Sequence, residues 1–268
     1  MTQPTLDHPV VIIGLGEIGS VIARGCLRLG QAVVPVLRDT DISALAARIP
    51  EPAMVVIATG ENDLHAAIDR VPKSWREGIV LIQNELLPRD WREHGLDAPT
   101  VMSVWFEKKP GMDSKVVVPS VAYGPRAELL QQALATLDLP VTLLDSEEQL
   151  IFELVRKNLY ILTTNIAGLK TGGDVTQLWR DHRQLAEAVA REVLKLQAHL
   201  TGATLEEDRL IEAMVEAFEG DPEHGCMGRS APQRLERALS IARSANIDVP
   251  VMEKISRDRD LSKYTSRD

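Results

Sequence analysis

Residues 10–19 read Val-Val-Ile-Ile-Gly-Leu-Gly-Glu-Ile-Gly, an apolar run followed at once by a G-x-G-x-x-G pattern. The run Val10–Ile13 is typical of a strand buried on both faces, and the apolar residues at 18–29 recur at helical spacing. In that strand–turn–helix context Gly14 permits a tight turn, Gly16 lets the backbone approach a pyrophosphate, and Gly19 lets the helix pack on the sheet. The stretch therefore predicts a dinucleotide-binding turn made of Gly14, Leu15, Gly16, Glu17, Ile18 and Gly19.

Outward from this turn, short apolar runs alternate with amphipathic segments. Further strands are predicted at 32–37, 53–58 and 79–83, and helices at 42–48 and 62–70. Runs at 100–104, 115–118 and 141–144 can extend the sheet. This alternation is the pattern of an α/β fold in which helices cover both faces of a parallel sheet, so we predict a Rossmann-type, doubly wound first domain.

The pattern changes after residue 145, where no strand signal remains. Ser146-Glu147-Glu148-Gln149 is a capping-box sequence that predicts the start of a long helix. Further helices are predicted at 175–200, 204–218 and 231–245, with a loop at 221–230. The chain is thus divided into a dinucleotide-binding domain at 1–145, an all-helical C-terminal domain at 146–255 and a polar tail at 256–268.

Composition excludes several classes of protein. Of 268 residues 44% are hydrophobic, and 30 basic against 39 acidic side chains give a net charge of −9. A globular chain with that charge is a poor partner for nucleic acid or for an anionic membrane. Two cysteines and six histidines without ligand spacing indicate a cytoplasmic protein with no disulfide framework and no metal site.

The residues after the second strand bear on the choice of cofactor. Arg38 lies 19 residues beyond Gly19, at the strand end where such folds carry an acid for NAD or a basic residue for the 2′-phosphate of NADP. A guanidinium can hold a phosphate through two hydrogen bonds, so we predict NADP. Asp39 follows directly, which leaves NAD as an alternative.

A mostly apolar helix in the second domain carries a polar stripe. Lys157 and Asn165 lie eight residues apart and Asn158 and Asn165 seven apart, so they share one side of the helix. A desolvated lysine readily lowers its pKa, as the general acid of a carbonyl reduction requires. The alternative is a solvated lysine beside Arg156.

The chain resembles the ketopantoate reductase family of NADP-dependent 2-oxo acid reductases. The resemblance covers the arrangement of the whole chain and rests on the glycine turn, Arg38, Gln83-Asn84, and Lys157 with Asn165. It implies that Arg38 binds the 2′-phosphate, that Asn84 lies by the nicotinamide, that Lys157 is the general acid and that Asn165 binds substrate. Thr59, after the third strand, is also predicted to bind the cofactor, and Asn158 is also predicted to be a catalytic residue.

The sequence also departs from the family pattern. Ile161 stands where the family has a second asparagine, Gly60 lies where a cofactor lysine is common, and Cys226 replaces a serine in the late turn. The family pattern has a glutamate after that turn, and the nearest acidic residue in this sequence is Glu236. Arg229 is an alternative group for binding a substrate carboxylate.

These observations predict an NADPH-dependent reductase of a small 2-oxo acid, with its active site between the two domains and a homodimer as a possible assembly. The alternatives are a reductase of another carbonyl compound on the same scaffold and a dinucleotide-binding sensor that has lost catalysis.

Overall fold

The structure is a computed structural model that describes the backbone of residues 8–265 and the side chains of residues 8–259. The chain divides into two compact units, Met1–Glu153 and Leu154–Asp268. This division falls eight residues after the sequence-based boundary at 145. The first turn of the long helix that begins at Glu147 stays with the first unit, where Arg92 forms an ion pair with the Glu147 carboxylate.

A seven-stranded sheet forms the centre of the first unit, in the order β2-β1-β3-β4-β5-β8-β9. Its strands are β1 (Val10–Ile13), β2 (Val33–Val36), β3 (Met54–Ile57), β4 (Ile79–Leu81), β5 (Thr100–Ser103), β8 (Ser120–Tyr123) and β9 (Val141–Leu143). The strands from β2 to β5 pair in parallel, whereas β5 pairs antiparallel with β8. Because the order reverses beside β1, the carboxyl end of β1 opens at a topological switch point, where ligands bind in such sheets.

The prediction that residues 115–118 extend this sheet is wrong. Lys115–Val116 form β7, which pairs with β6 (Phe106–Glu107) in a separate two-stranded hairpin. The sheet is extended by Ser120–Tyr123 instead. Three of those four residues are buried, whereas Lys115 is exposed and Val116 half-buried, so the later segment gains more from a place in the sheet.

Helices cover the sheet in the first unit. They are α1 (Glu17–Arg28), α2 (Ile42–Arg48), α3 (Leu64–Asp69), α4 (Pro88–Arg92) and α5 (Ala127–Ala135), with 3₁₀ turns at Glu61–Asp63 and Lys73–Gly78. The closest packing joins α1 to α5, since a Cβ at Gly25 would lie 2.6 Å from the carbonyl oxygen of Ala133. Together with β1, β3 and β4 these two helices enclose the main apolar core of the unit.

The second unit consists of helices joined by loops in its described residues. Its helices are α6 (Glu147–Thr171, which starts in the first unit), α7 (Val175–Asp181), α8 (Arg183–Thr201), α9 (Glu207–Gly220), α10 (Ala231–Ala245) and α11 (Pro250–Thr265). The helix predicted at 175–200 is interrupted at His182, whereas α10 has the predicted bounds. None of the helices described in residues 8–265 has both the length and the apolarity that a membrane crossing needs.

The segment predicted as a polar tail continues the last helix as far as Thr265, while residues 266–268 lie outside the described part of the chain. Two long-range interactions explain the helix. Met252 and Ile255 are buried on one side of it, and the buried Glu192 carboxylate of α8 accepts hydrogen bonds from the backbone N–H groups of Val251 and Met252 at 2.8 and 2.9 Å. A carboxylate from a distant helix thus caps the first turn, which local sequence cannot reveal.

Candidate functional site

The glycine-rich turn after β1 is too tight for side chains at two of its three glycines. Gly14 has a φ of +91°, and a Cβ there would lie 2.9 Å from the Ala58 carbonyl oxygen. A Cβ at Gly19 would lie 2.3 Å from the Gly14 carbonyl oxygen. Both neighbours are backbone atoms, so neither contact could be relieved by rotating a side chain. The turn therefore holds the start of α1 directly against the ends of β1 and β3.

Gly16 has a different environment. Its φ of −77° suits any residue, and no atom lies within 4 Å of the position a Cβ would take. It is also the N-cap residue of α1, and no side-chain cap hydrogen bond is found at that end of the helix among the described residues. The first backbone N–H groups of α1 are therefore available to an anion in open space above Gly16, as a pyrophosphate requires.

Lys108 brings a positive charge to this turn. Its Nζ lies 3.5 Å from a carboxylate oxygen of Glu17, the first residue of α1, and its side chain is only 17% exposed. The ammonium group also donates to the carbonyl oxygens of Lys109 and Met112. These contacts fix Lys108 beside the turn, where it offsets the negative charge that Glu17 adds near a phosphate site.

Arg38 lies at the carboxyl end of β2, in a short turn beside the glycines. The Gly14 N–H donates to the Val36 carbonyl oxygen at 3.3 Å, which joins the glycine turn to the last residue of β2. Thr40 Oγ1 accepts from the Leu37 N–H at 2.9 Å and shapes the turn that contains Arg38 and Asp39. Both charged side chains are exposed.

Gln83 connects the ends of β3 and β4 through hydrogen bonds. Its buried amide nitrogen donates to the carbonyl oxygens of Ile57 at 2.7 Å and Thr59 at 3.3 Å. Thr59 Oγ1 is buried and has no hydrogen-bond partner among the described residues, and Asn84 is exposed. Gln83 thus positions the two predicted cofactor residues Thr59 and Asn84 without itself facing solvent.

These features fit a dinucleotide. The open position at Gly16, the uncapped α1 and the cation of Lys108 suit a pyrophosphate, and the turn that carries Arg38 stands where an adenosine ribose is recognised in this type of sheet. Sequence reasoning missed Lys108, because it comes from a hairpin about 90 residues after the glycines and has no local signal.

Helix α6 holds the three predicted catalytic residues, but they differ in surroundings. Lys157 is half-buried. Asn158 is 1% exposed, and its amide nitrogen donates to Gln197 Oε1 of α8 at 3.0 Å. That buried bond between two helices favours a structural role for Asn158, because a group already paired in the core is costly to expose to a ligand.

Asn165 joins α6 to the late loop of the second unit. Its amide nitrogen donates to the Ile161 carbonyl oxygen at 2.8 Å. Its Oδ1 accepts from the backbone N–H of Gly228 at 3.2 Å and from the guanidinium of Arg234 at 3.3 Å. The structure thus places a half-buried arginine of α10 against a predicted substrate residue, whereas Arg229, the arginine that the sequence suggested, is exposed.

The late loop 221–230 packs on α6 at a glycine. A Cβ at Gly168 would lie 2.6 Å from the carbonyl oxygen of Cys226, and the Cys226 N–H donates to the Gly173 carbonyl oxygen at 2.9 Å. Cys226 is fully buried. Burial, with a smaller contribution from the negative charge of Asp174, raises the pKa of its thiol to about 12. The thiol that replaces the family's serine is therefore protonated and unreactive at neutral pH.

The comparisons with known proteins find structural likeness without sequence likeness. No family model matches the chain, and no curated protein matches it. The 2-dehydropantoate 2-reductase of Methylococcus capsulatus has a TM-score of 0.68 at 13% identity, over 97% of this chain and 98% of its own. A dimeric ketopantoate reductase of Staphylococcus aureus has a TM-score of 0.63 at 15% identity, over 96% and 99%.

A D-mandelate dehydrogenase, in a ternary structure with NADH and anilino(oxo)acetate, gives a TM-score of 0.63 at 11% identity, over 96% of this chain and 99% of its own. The likeness extends over nearly the full length in each case. It shows that the chain has the fold of these oxidoreductases, and it confirms the predicted combination of a Rossmann-type unit with a helical C-terminal unit.

The packing of the late loop predicts a thiol-labelling result. In Gly168→Ala the new methyl group clashes with the Cys226 backbone, so the loop must move and expose the thiol. Overpacking of about 1–3 kcal/mol corresponds to a rise of about 5- to 150-fold in the rate of reaction with Ellman's reagent under native conditions. Cys26 is buried elsewhere, with its pKa raised by burial to about 11, and should stay unreactive.

Gly225→Ala is the matched control, since it lies in the same loop and a Cβ there meets no atom within 4 Å. Its Cys226 should remain as protected as that of the wild type. Equal labelling rates in Gly168→Ala and the wild type would contradict this packing.

Proposed function

We propose that the protein is a nicotinamide-dependent reductase that converts a small 2-oxo acid to the 2-hydroxy acid. The observation that carries the proposal is the glycine turn at the switch point, with an uncapped helix start and an adjacent cation. The fold supports it, because neighbours of the same architecture are described as 2-dehydropantoate 2-reductases and a D-mandelate dehydrogenase.

The first unit would hold the cofactor. The backbone of residues 14–19 and the start of α1 would bind the pyrophosphate, Lys108 offsets the charge of Glu17 beside it, and Gln83 holds Thr59 and Asn84 in place at the neighbouring strand ends. The cofactor, when bound, supplies a hydride. These residues bind and orient it, and they take no part in proton transfer.

The second unit would supply the proton and hold the substrate. Lys157 Nζ donates the proton to the oxygen of the carbonyl as negative charge develops there. Asn165, whose own polar atoms are paired, accepts a hydrogen bond from Arg234 and so orients it, and the guanidinium is the group suited to a substrate carboxylate. Asn158 keeps its place in the core and positions α6 against α8.

Arg38 leads us to propose NADP as the cofactor. An exposed guanidinium in the turn after β2 can take a 2′-phosphate through two hydrogen bonds. Asp39 in the same turn favours NAD, and the D-mandelate dehydrogenase neighbour is described with NADH. The affinity of the protein for the two cofactors decides between them.

A second candidate is a dinucleotide-binding protein without catalysis. Two observations favour it: Ile161, which replaces the family's second asparagine, is buried, and the neighbouring Asn158 is already paired with Gln197. The polar stripe of α6 therefore presents fewer groups to a substrate than the sequence suggested.

We further propose that the chain works as a homodimer in the cytoplasm. The dimer is supported by the Staphylococcus aureus neighbour, which is described as dimeric. The cytoplasmic location is supported by the two cysteines, Cys26 and Cys226, which are both free and buried.

Replacing the ammonium group tests the assigned acid. Lys157→Met keeps the aliphatic stem and removes the proton donor, so we expect kcat to fall by about 10² or more while the Kd for NADPH is unchanged. The wild type is first assayed with a panel of 2-oxo acids that includes ketopantoate, following the loss of NADPH absorbance, and the best substrate is used for the variants.

Lys170→Met is the control on the same helix, because Lys170 is exposed and paired with Asp258, and its kcat should stay within about twofold of the wild type. An unchanged kcat in Lys157→Met would show that Lys157 is not the general acid. Tight NADPH binding by the wild type, without turnover of any acid in the panel, would favour the second candidate.

The choice of cofactor is tested at Arg38. We expect the wild type to bind NADPH about tenfold or more tightly than NADH, and Arg38→Ala to lose that preference, since a charge-assisted hydrogen bond contributes about 1.5–3 kcal/mol. Titration calorimetry gives the four dissociation constants. Arg48→Ala, at the exposed end of α2, should bind NADPH and NADH with the dissociation constants of the wild type. Equal or tighter binding of NADH by the wild type would show that NADP is the wrong cofactor.

A further inference from the structure

Three potential metal ligands converge on the first unit at a place that the proposed reaction does not use. His65 lies in α3, Glu93 is the C-cap residue of α4, and His94 follows it. His65 Nδ1 lies 2.9 Å from His94 Nε2 and 2.9 Å from Glu93 Oε1, and the last two atoms are 3.7 Å apart. Two imidazoles and a carboxylate thus direct one ligand atom each into a common space.

The arrangement of His94 is that of a supported metal ligand. Its Nδ1 lies 2.8 Å from Asp69 Oδ1, and its backbone carbonyl accepts a hydrogen bond of 2.8 Å from the Arg76 guanidinium. In the neutral ring the Asp69 carboxylate accepts the hydrogen on Nδ1, which leaves the lone pair on Nε2, the atom that lies 2.9 Å from His65 Nδ1. A carboxylate on the far nitrogen is the usual support of a metal-bound histidine, because it fixes the tautomer and the ring orientation.

Hydrogen bonding within the cluster does not account for all three atoms. A ring nitrogen carries either one hydrogen or one lone pair, so His65 Nδ1 can make one good hydrogen bond. Two neighbours lie at 2.9 Å from it, however, on different residues. A cation placed among the three atoms would interact with His65 Nδ1, His94 Nε2 and Glu93 Oε1 at once.

We propose that His65, Glu93 and His94 form a binding site for a zinc-type divalent cation, with Asp69 as the positioning residue of His94. Zinc binds imidazole nitrogen and carboxylate oxygen at about 2.0–2.2 Å, so its tetrahedral ligand atoms lie roughly 3.3 Å apart. The three observed separations lie on both sides of that value, and the His65 and Glu93 side chains are 47% and 56% exposed and can rotate to reach it.

The choice of ligands also selects the class of cation. Nitrogen ligands suit zinc and its transition-metal neighbours, whereas magnesium and calcium prefer oxygen alone. The protein provides three ligands, so solvent completes the coordination. The cation would link α3 to the end of α4, two segments about 28 residues apart in sequence, and would stabilise this part of the first unit. The site is independent of the proposed reductase activity.

The test uses the full chain without a histidine tag, freed of metal by chelation and titrated with zinc against a chromophoric chelator. We expect one zinc ion per chain to bind saturably, and zinc to raise the Tm, because a ligand that binds only the folded state stabilises it. His65→Gln, at an exposed position, should weaken binding at least tenfold and reduce the rise in Tm at a given zinc concentration. Asp69→Asn should weaken binding by about 10–100-fold without removing a ligand.

His199→Gln, on the exposed surface of α8, is the control and should bind zinc as the wild type does. Far-ultraviolet circular dichroism verifies that each variant is folded, and His94→Gln serves as a second ligand variant. Absence of saturable zinc binding by the wild type, or equal affinity in His65→Gln and the wild type, would overturn the proposal.

Discussion

The first unit depends on the close contact between the glycine turn and the strands beside it. A Cβ at Gly19 would lie 2.3 Å from a backbone oxygen of Gly14, and one at Gly14 would lie 2.9 Å from a backbone oxygen of Ala58, so the start of α1 can reach the sheet only because both residues lack side chains. This contact leaves the first N–H groups of α1 uncapped above Gly16. The steric requirement of the fold and the electrostatic requirement of a pyrophosphate are therefore met by the same six residues.

The second unit depends on an amide and a glycine of α6. Asn165 accepts hydrogen bonds from the late loop and from Arg234, and Gly168 lets the same loop lie directly on the helix. The helix that carries Lys157 thus also shapes the loop and places the guanidinium. Asn158, which shares the stripe in the sequence, is used for packing against α8. Of the polar residues on this helix face, Asn158 therefore belongs to a buried structural pair, Asn165 is a buried contact to the loop, and Lys157 is half-buried.

Features set by neighbouring residues were predictable from the sequence. The strand and glycine turn at 10–19, the bounds of α10 and the capping of α6 by Ser146 all follow local rules, although Gln149 completes the cap at the Asp145 N–H. Features set by distant contacts were not predictable. Lys108 reaches Glu17 from a hairpin, and Glu192 caps α11 from another helix. In each case the two partners are separated by more than fifty residues, so no local pattern connects them.

In the proposed function, the open position above Gly16 receives the pyrophosphate of a nicotinamide dinucleotide. Calorimetric titration of Gly16→Ala with NADPH tests it most directly, because the φ of −77° and the empty surroundings let alanine enter without strain. We expect a Tm equal to that of the wild type together with a loss of NADPH affinity of about tenfold or more, because the backbone must approach the pyrophosphate closely. Unchanged affinity at an unchanged Tm would contradict it.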